Sequence, residues 1–210
     1  MKGKDRVFVV ALTGGIGSGK STVCNLLEEK GAFILDSDRL AREVVEKGKP
    51  AWKDIVEHFG EAVLDTEGEI DRKKLADIVF ADAAERSFLN SMTHPRIFQL
   101  MYERLQARDT ETEGKGVAVL DIPLLVDVKA GGMFDFTLVV DASPEVRVER
   151  ITSDRGSSRE EAWSRIRSQV PREERLAHAD HVIDNDGSME SLRREVDKAW
   201  EAILDHAALG

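Results

Sequence analysis

The sequence predicts an α/β fold: a five-stranded parallel sheet flanked by helices. Three observations predict it. A glycine-rich stretch, Gly14-Gly15-Ile16-Gly17-Ser18-Gly19-Lys20-Ser21, joins the apolar run Val7-Phe8-Val9-Val10-Ala11-Leu12 to a helical pattern over 20–30. Short apolar runs recur along the chain, and four of them end in an aspartate: Asp36, Asp121, Asp141 and Asp184. Helical patterns separate these runs, the alternation that builds parallel sheets through crossover connections.

The elements follow in order. Residues 6–12 read as a buried strand. The helix over 20–30 carries Val23, Leu26 and Leu27 on one stripe, and Gly31 fits its C-cap. A short strand, 32–35, leads to Asp36, and a helix opens at Asp38 and runs to about Lys47. One of the two acids is free to cap that helix while the other faces phosphate. Helices are expected over 50–59, 71–80 and 82–107, joined by a 60–70 connection whose Asp65-Thr66-Glu67-Gly68 reads as a turn. Pro95, within Thr93-His94-Pro95-Arg96-Ile97, is expected to interrupt the last of these helices. Residues 109–116 read as a surface loop. Strands at 117–120 and 136–140 end at Asp121 and Asp141. Ser143-Pro144-Glu145 starts a helix with proline in its first turn. Ser158 opens another, with Glu161 in capping-box spacing. The last strand, 181–183, ends at Asp184-Asn185, and a closing helix spans 188–208.

Bulk properties bound the function. The chain has 210 residues, 41% of them hydrophobic, which suits one α/β core with insertions. A net charge of -10 argues against nonspecific nucleic-acid binding. Cys24 is the single cysteine, so no disulfide forms within the chain. There is no apolar run long enough for a membrane span and no leader pattern, so the expected compartment is the cytoplasm. Oligomeric state is left open, with a monomer favoured.

The glycine-rich stretch matches G-x-x-x-x-G-K-[ST] in its required strand–loop–helix setting. Glycines let the backbone wrap an anion, and amides at the helix start point at phosphate oxygens. Lys20 reaches the β and γ phosphates, and the Ser21 hydroxyl is placed to ligate Mg²⁺. A dinucleotide fingerprint fails because Lys20 and Thr22 stand where it needs a small residue. The Asn-Lys-x-Asp of a GTPase is missing, since Asn185-Asp186-Gly187-Ser188 differs from it. A short core, Asp36-x-Asp38 after the second strand, a helical insertion and an arginine-rich segment from Arg147 to Arg175 together suggest a small-molecule kinase using ATP. Arg150 and Arg155 are the leading candidates to offset charge on the transferring phosphoryl group from a closing lid. Asp38 should border the acceptor hydroxyl, and Asp36 or Asp121 is the candidate metal-side acid. A related nucleoside or nucleotide kinase, or an ATP-dependent regulatory protein, stays open on these residues.

The later motifs narrow this. Leu12–Ser21, Asp36-Ser37-Asp38 with Ala41-Arg42, His94-Pro95-Arg96-Ile97, Asp121-Ile122-Pro123-Leu124-Leu125, Arg165-Ile166 with Gln169, and Ala179-Asp180 through Gly187 follow one another as in the dephospho-coenzyme A kinases, which the chain resembles over almost its whole length. The resemblance implies a P-loop kinase core (1–47, 109–149 and 178–210), a helical CoA-substrate domain (48–108) and a mobile helical lid (150–177). It implies phosphoryl transfer from ATP, with Mg²⁺, to the ribose 3′-hydroxyl of dephospho-CoA, the last step of coenzyme A biosynthesis. Asp38 then resembles the general base, with Lys20, Arg150 and Arg155 serving the transfer. Gly14 to Thr22 and Asn185 would hold nucleotide. Thr13, Asp38, Arg42, His94, Pro95, Ile97, Pro123, Leu124 and Leu125 would hold the acceptor. One departure is visible: Val126-Asp127 stands where that family usually has an aromatic or apolar residue and glutamate.

Overall fold

The computed structural model describes residues 6–122 and 134–209. The expected acceptor residues Pro123, Leu124 and Leu125, and the departure at Val126-Asp127, lie outside the described residues.

The chain divides into two compact units, 1–35 with 108–210, and 36–107. The first is the sheet unit. Its strands are β1 (Phe8–Gly14), β2 (Phe33–Asp36, whose last residue starts the second unit), β3 (Val117–Asp121), β4 (Phe136–Asp141) and β5 (His181–Asp184). Their order is β2-β3-β1-β4-β5, all parallel. β1 is therefore central. Its chain leaves toward β2 and β3 on one side, and later strands fill β4 and β5 on the other. Such a reversal leaves a crevice at the carboxyl end of the central strand, where α/β sheets bind ligands. Register fixes what lines it: Leu12 pairs across from Asp121, and Gly14 from Val140. Strand β1 thus runs two residues further than its apolar run, because Thr13 and Gly14 pair with Val139 and Val140.

Helix α1 (Lys20–Glu29) presents Val23, Leu26 and Leu27 to the core, as its spacing predicts. The closing helix, named α9 below, is Met189–Leu209. It buries Leu192, Val196, Ala199 and Ile203, one stripe at helical spacing, against the same core. Phe136 is fully buried and meets the His206 ring edge-on. Each large side chain buried this way contributes roughly 1.5–3 kcal/mol.

The second unit is helical. It contains α2 (Ser37–Val44), α3 (Pro50–Phe59), α4 (Arg72–Ala81) and most of α5 (Ala83–Thr112). Residues 36–47, assigned to the core from sequence, fall in this unit. Ile55, Val63, Leu75 and Val79 form its core. The Asp65–Gly68 stretch is a turn, as expected: Asp65 Oδ1 accepts from the amides of Glu67 and Glu69, and Gly68 takes φ 80°.

Two expectations fail here. Helix α5 runs straight through Pro95. Proline in a helix interior costs about 3 kcal/mol, and side-chain ties hold the helix on both sides of it. Arg96 donates to Asp54 on α3 (2.6 Å) and to the Met92 carbonyl (2.7 Å), while Glu85 meets His58, whose ring stacks on Phe88. The same helix also takes in residues 109–112 of the expected surface loop. It stops at Glu113, in the left-handed region, where the Gly114 amide returns to the Asp109 carbonyl.

The remaining helices, α6 (Pro144–Arg155), α7 (Arg159–Arg167) and α8 (Arg172–Leu176), precede β5 and α9. Ser158 and Glu161 form the expected capping box. No helix among the described residues is long and apolar enough to cross a membrane.

The acids at the start of α2 divide their work. Asp36 is the N-cap, its Oδ1 accepting from the amides of Asp38 (2.8 Å) and Arg39 (3.1 Å). Asp36→Ala should therefore lower stability by about 1 kcal/mol, whereas Asp36→Asn, also a good cap, should cost far less. Urea denaturation of the two variants checks this; equal losses would mean that the carboxylate charge, not the cap, matters.

Candidate active site

The site begins with backbone geometry at the end of β1. Gly17 (φ 77°) and Gly19 (φ 88°) occupy the left-handed region, where only glycine sits without strain. Gly14 has a second reason: a Cβ there would lie 2.6 Å from Ser18 Oγ and 2.7 Å from the Val140 carbonyl oxygen. The Ser18 amide closes the turn onto the Gly15 carbonyl (3.0 Å). Gly19 then caps α1, and its carbonyl receives the Thr22 and Val23 amides.

Lys20, the first residue of α1, forms an ion pair with Asp121 at the end of β3. Both side chains are mostly buried, and Cys24 Sγ donates to the other Asp121 oxygen (3.6 Å). The register of β1 against β3 places this acid beneath the loop. Ser21 is exposed on the first turn of α1, and Thr22 is half-buried.

The loop carbonyls are held from behind. Asn185, 4% exposed, donates Nδ2 to the Ser18 carbonyl (2.7 Å), and its own amide donates to the Asp141 carbonyl. Arg150 donates to the Asn185 carbonyl (2.8 Å) and, at 3.4 Å, to those of Gly17 and Ser18. Arg147 donates Nε to the Ile16 carbonyl (2.8 Å) and Nη2 to Gln169 Oε1 (2.8 Å), which also accepts the Ile16 amide (3.0 Å).

Beside these lies a cluster of three arginines and one acid. Asp141 Oδ2 accepts Arg172 Nε and Nη2, at 2.8 and 2.5 Å. That bond raises the Arg172 pKa. Buried Arg175 donates to the Val170 carbonyl, and burial lowers its pKa. Burial, then the charge of Arg175, lowers the Arg147 guanidinium to about 10.

Thr13, Gly14–Thr22, Asp121, Asn185 and Arg150 thus share the sheet unit, and most of them converge at the loop. Asp38, Arg42, His94, Pro95 and Ile97 belong to the helical unit. Asp38, Arg42, His94 and Pro95 are exposed, and Ile97 is half-buried. Arg150, expected at the start of the lid, is on α6. It sits mid-way along α6, whose Val148 and Ile151 pack with Ala162 of α7 and with Ile16 of the loop, so the boundary drawn at 150 cuts a continuous helix. The Arg155 side chain lies outside the described residues. Sequence reasoning missed Arg147 as a support of the loop and Asp141 as the acceptor of Arg172. An arginine four residues after Ser143 reads as ordinary helix surface until its burial is known.

The donor set fits a bound nucleotide triphosphate. Ser18 Oγ is the buried side-chain oxygen that lacks a hydrogen-bond partner among the described residues, and it sits inside the loop. It also fits Mg²⁺, which takes one or two protein oxygens and fills its shell with phosphate and water. Ser21 and Asp121 supply such oxygens, whereas Asp36 Oδ1 is engaged in capping α2. Among the described residues no group of three or more His, Cys, Asp or Glu forms a self-sufficient metal cage.

Removing Lys20 has a structural cost as well as a chemical one. Lys20→Ala leaves the largely buried Asp121 without its cation, where a fully buried pair would lose about 3–5 kcal/mol. Lys20→Ala should be clearly destabilised in urea, and adding Asp121→Asn should recover much of that loss without restoring nucleotide affinity. Wild-type stability of the single variant would remove the pair from the list of stabilising contacts.

Comparison with known proteins identifies the family. The dephospho-CoA kinase family model matches residues 8–191. A dephospho-CoA kinase of Thermobifida fusca is 44% identical over 92% of this chain and 95% of its own length. One of Corynebacterium glutamicum is 47% identical over 88% and 93%. Among solved structures, TT1252 from Thermus thermophilus superposes with a TM-score of 0.79 at 36% identity, covering 95% of this chain and 97% of its own. A dephospho-CoA kinase from Campylobacter jejuni gives 0.68 at 28% identity, covering 93% and 96%. A phosphate loop held by buried Arg147, in a chain matched from its first strand into its last helix, therefore places this protein in the dephospho-CoA kinase family.

Proposed function

We infer that the chain transfers the γ-phosphoryl group of ATP to the ribose 3′-hydroxyl of dephospho-CoA, giving CoA and ADP, the last step of coenzyme A biosynthesis. The observation that carries this is the family match over 8–191 on a chain whose Lys20 and glycine loop form a phosphate cradle. The name dephospho-CoA kinase, borne by the relatives, supplies the acceptor.

In this reading the amides of the loop and the Lys20 ammonium bind the β and γ phosphates, and Lys20 exchanges Asp121 for phosphate oxygen. Ser21 and Asp121 would hold Mg²⁺, which would supply positive charge to the phosphates. Asp38 accepts the hydrogen bond of the 3′-hydroxyl, aligns it with the γ-phosphorus and takes its proton as the P–O bond forms and ADP leaves. Its exposure in the first turn of α2, with Asp36 occupied as the cap, supports this division of labour. Arg150 and Arg155 offset charge on the transferring group. Residues 48–108, with Arg42 and the His94–Ile97 segment, bind the acceptor. Residues 150–177 form the lid, their first turns belonging to α6. The cytoplasm is the compartment and no nucleic acid is involved.

The test is direct. Purified protein, ATP, Mg²⁺ and dephospho-CoA should yield CoA by mass spectrometry, and no CoA would refute the reading. Asp38→Asn should cut single-turnover transfer about 10²–10⁴-fold while leaving calorimetric ATP affinity largely intact. Near-normal transfer by this variant would move the base elsewhere, with Asp121 next.

A further inference from the structure

Ile16, at the crest of the phosphate loop, is gripped at both of its backbone groups. Its amide donates to Gln169 Oε1 (3.0 Å), and its carbonyl accepts from Arg147 Nε (2.8 Å). The two gripping side chains are bonded to each other, Arg147 Nη2 donating to the same Gln169 oxygen (2.8 Å). This closes a ring of three hydrogen bonds around one residue. Arg147 is 2% exposed, so its charge-assisted bonds are sheltered from water. The glycines on either side press against the same arginine. A Cβ on Gly15 would lie 2.5 Å from Arg147 Nη2, and one on Gly17 would lie 2.9 Å from the Arg147 carbonyl oxygen.

We propose that Arg147 and Gln169 are positioning residues for phosphoryl transfer. They fix the rotation of the peptides flanking Ile16, and so the direction of the loop amides that receive phosphate. The proposal deepens the kinase reading and rests on it for the identity of the acceptor. Two features separate this role from general core support. The grip is on the loop crest rather than on the sheet, so its loss should act on nucleotide more than on the acceptor. It also depends on fork geometry and on an accepting oxygen, not on charge: lysine at 147 keeps the cation but cannot reach Ile16 and Gln169 together. Gln169 lies between α7 and α8, inside the segment proposed as the lid, so the same oxygen ties that segment to the loop.

The experiment compares Gln169→Leu, Gln169→Glu and Arg147→Lys with wild type. Calorimetry gives ATP affinity without acceptor, and steady-state assays give KM for each substrate and kcat. Loss of a bond to a charged group is expected to read as about 10–100-fold. Gln169→Leu should weaken ATP binding on that scale, lower kcat, and leave the KM for dephospho-CoA within about twofold. Gln169→Glu, which keeps the accepting oxygen, should recover most of the ATP affinity. Arg147→Lys should behave like Gln169→Leu despite its retained charge. Normal ATP affinity in Gln169→Leu would overturn the proposal. So would failure of Gln169→Glu to improve on it, or parallel losses for both substrates tracking a lowered Tm. Should Arg147→Lys not fold, the two Gln169 variants still decide. If wild type makes no CoA yet Gln169→Leu loses ATP affinity, the acceptor assignment falls and the positioning role stands.

Discussion

The structure depends on satisfying the carbonyls of one loop. A phosphate loop has to aim its amides inward at an anion, and peptide planarity then sends its carbonyls outward. Those carbonyls lie in the buried seam between β1, α6 and β5, where an unpaired one would cost about 1–3 kcal/mol. Three side chains meet the demand: Arg147 at Ile16, Asn185 at Ser18, and Arg150 across Gly17, Ser18 and Asn185. Each comes from a different turn or element. The loop carbonyls are therefore satisfied only where α6 is packed and β5 is paired into the sheet. Residues remote in sequence, up to 167 positions apart for Asn185 and Ser18, are needed to shape a motif that looks local.

Sheet order makes those meetings possible. With β1 central, β3 brings Asp121 under Lys20 from one side, and β4 and β5 deliver Asp141 and Asn185 from the other. The four strand-terminal aspartates look equivalent in the sequence, yet they have separate tasks. Asp36 caps α2, Asp121 pairs Lys20, Asp141 grips Arg172, and Asp184 Oδ1 accepts the Asp186 amide in the turn that follows β5. One position at the carboxyl edge of a parallel sheet thus serves capping, ion pairing or turn formation. The next element decides which.

That equivalence also explains how much was legible. The glycine loop, the strands and the helical stripes read directly, because period and backbone sterics are local properties. The two-fold reading of Asp36 and Asp38 stayed open in sequence because capping depends on which amide faces which oxygen. Pro95 misled because a local penalty was weighed without the long-range ties, Arg96 to Asp54 among them, that hold the helix on both sides of it. Arg147 was passed over among many arginines because only burial separates it from its neighbours. The boundary drawn at 150 falls inside α6 because an arginine-rich stretch carries no local mark of where one helix ends and the next begins.

Burial of arginine resolves an apparent conflict in the charge balance. A chain of net charge -10 repels polyanions at long range, yet its candidate ligand carries several negative charges. At short range the sign reverses. Arg147, Arg172 and Arg175 share a single Asp141 beside the phosphate loop, and Arg147 and Arg175 are nearly inaccessible to water. Burial lowers the pKa of Arg147 and Arg175, while the bond to Asp141 raises that of Arg172, and Arg147 at about 10 stays charged at neutral pH. Charge held in a sheltered, hydrogen-bonded position is screened far less by salt than charge on the surface. Net charge therefore describes the chain as a whole, while a few fixed cations beside the loop set the field within it. Net charge and site charge are independent quantities in this fold, because the sheet separates the surface from the seam where the loop is built.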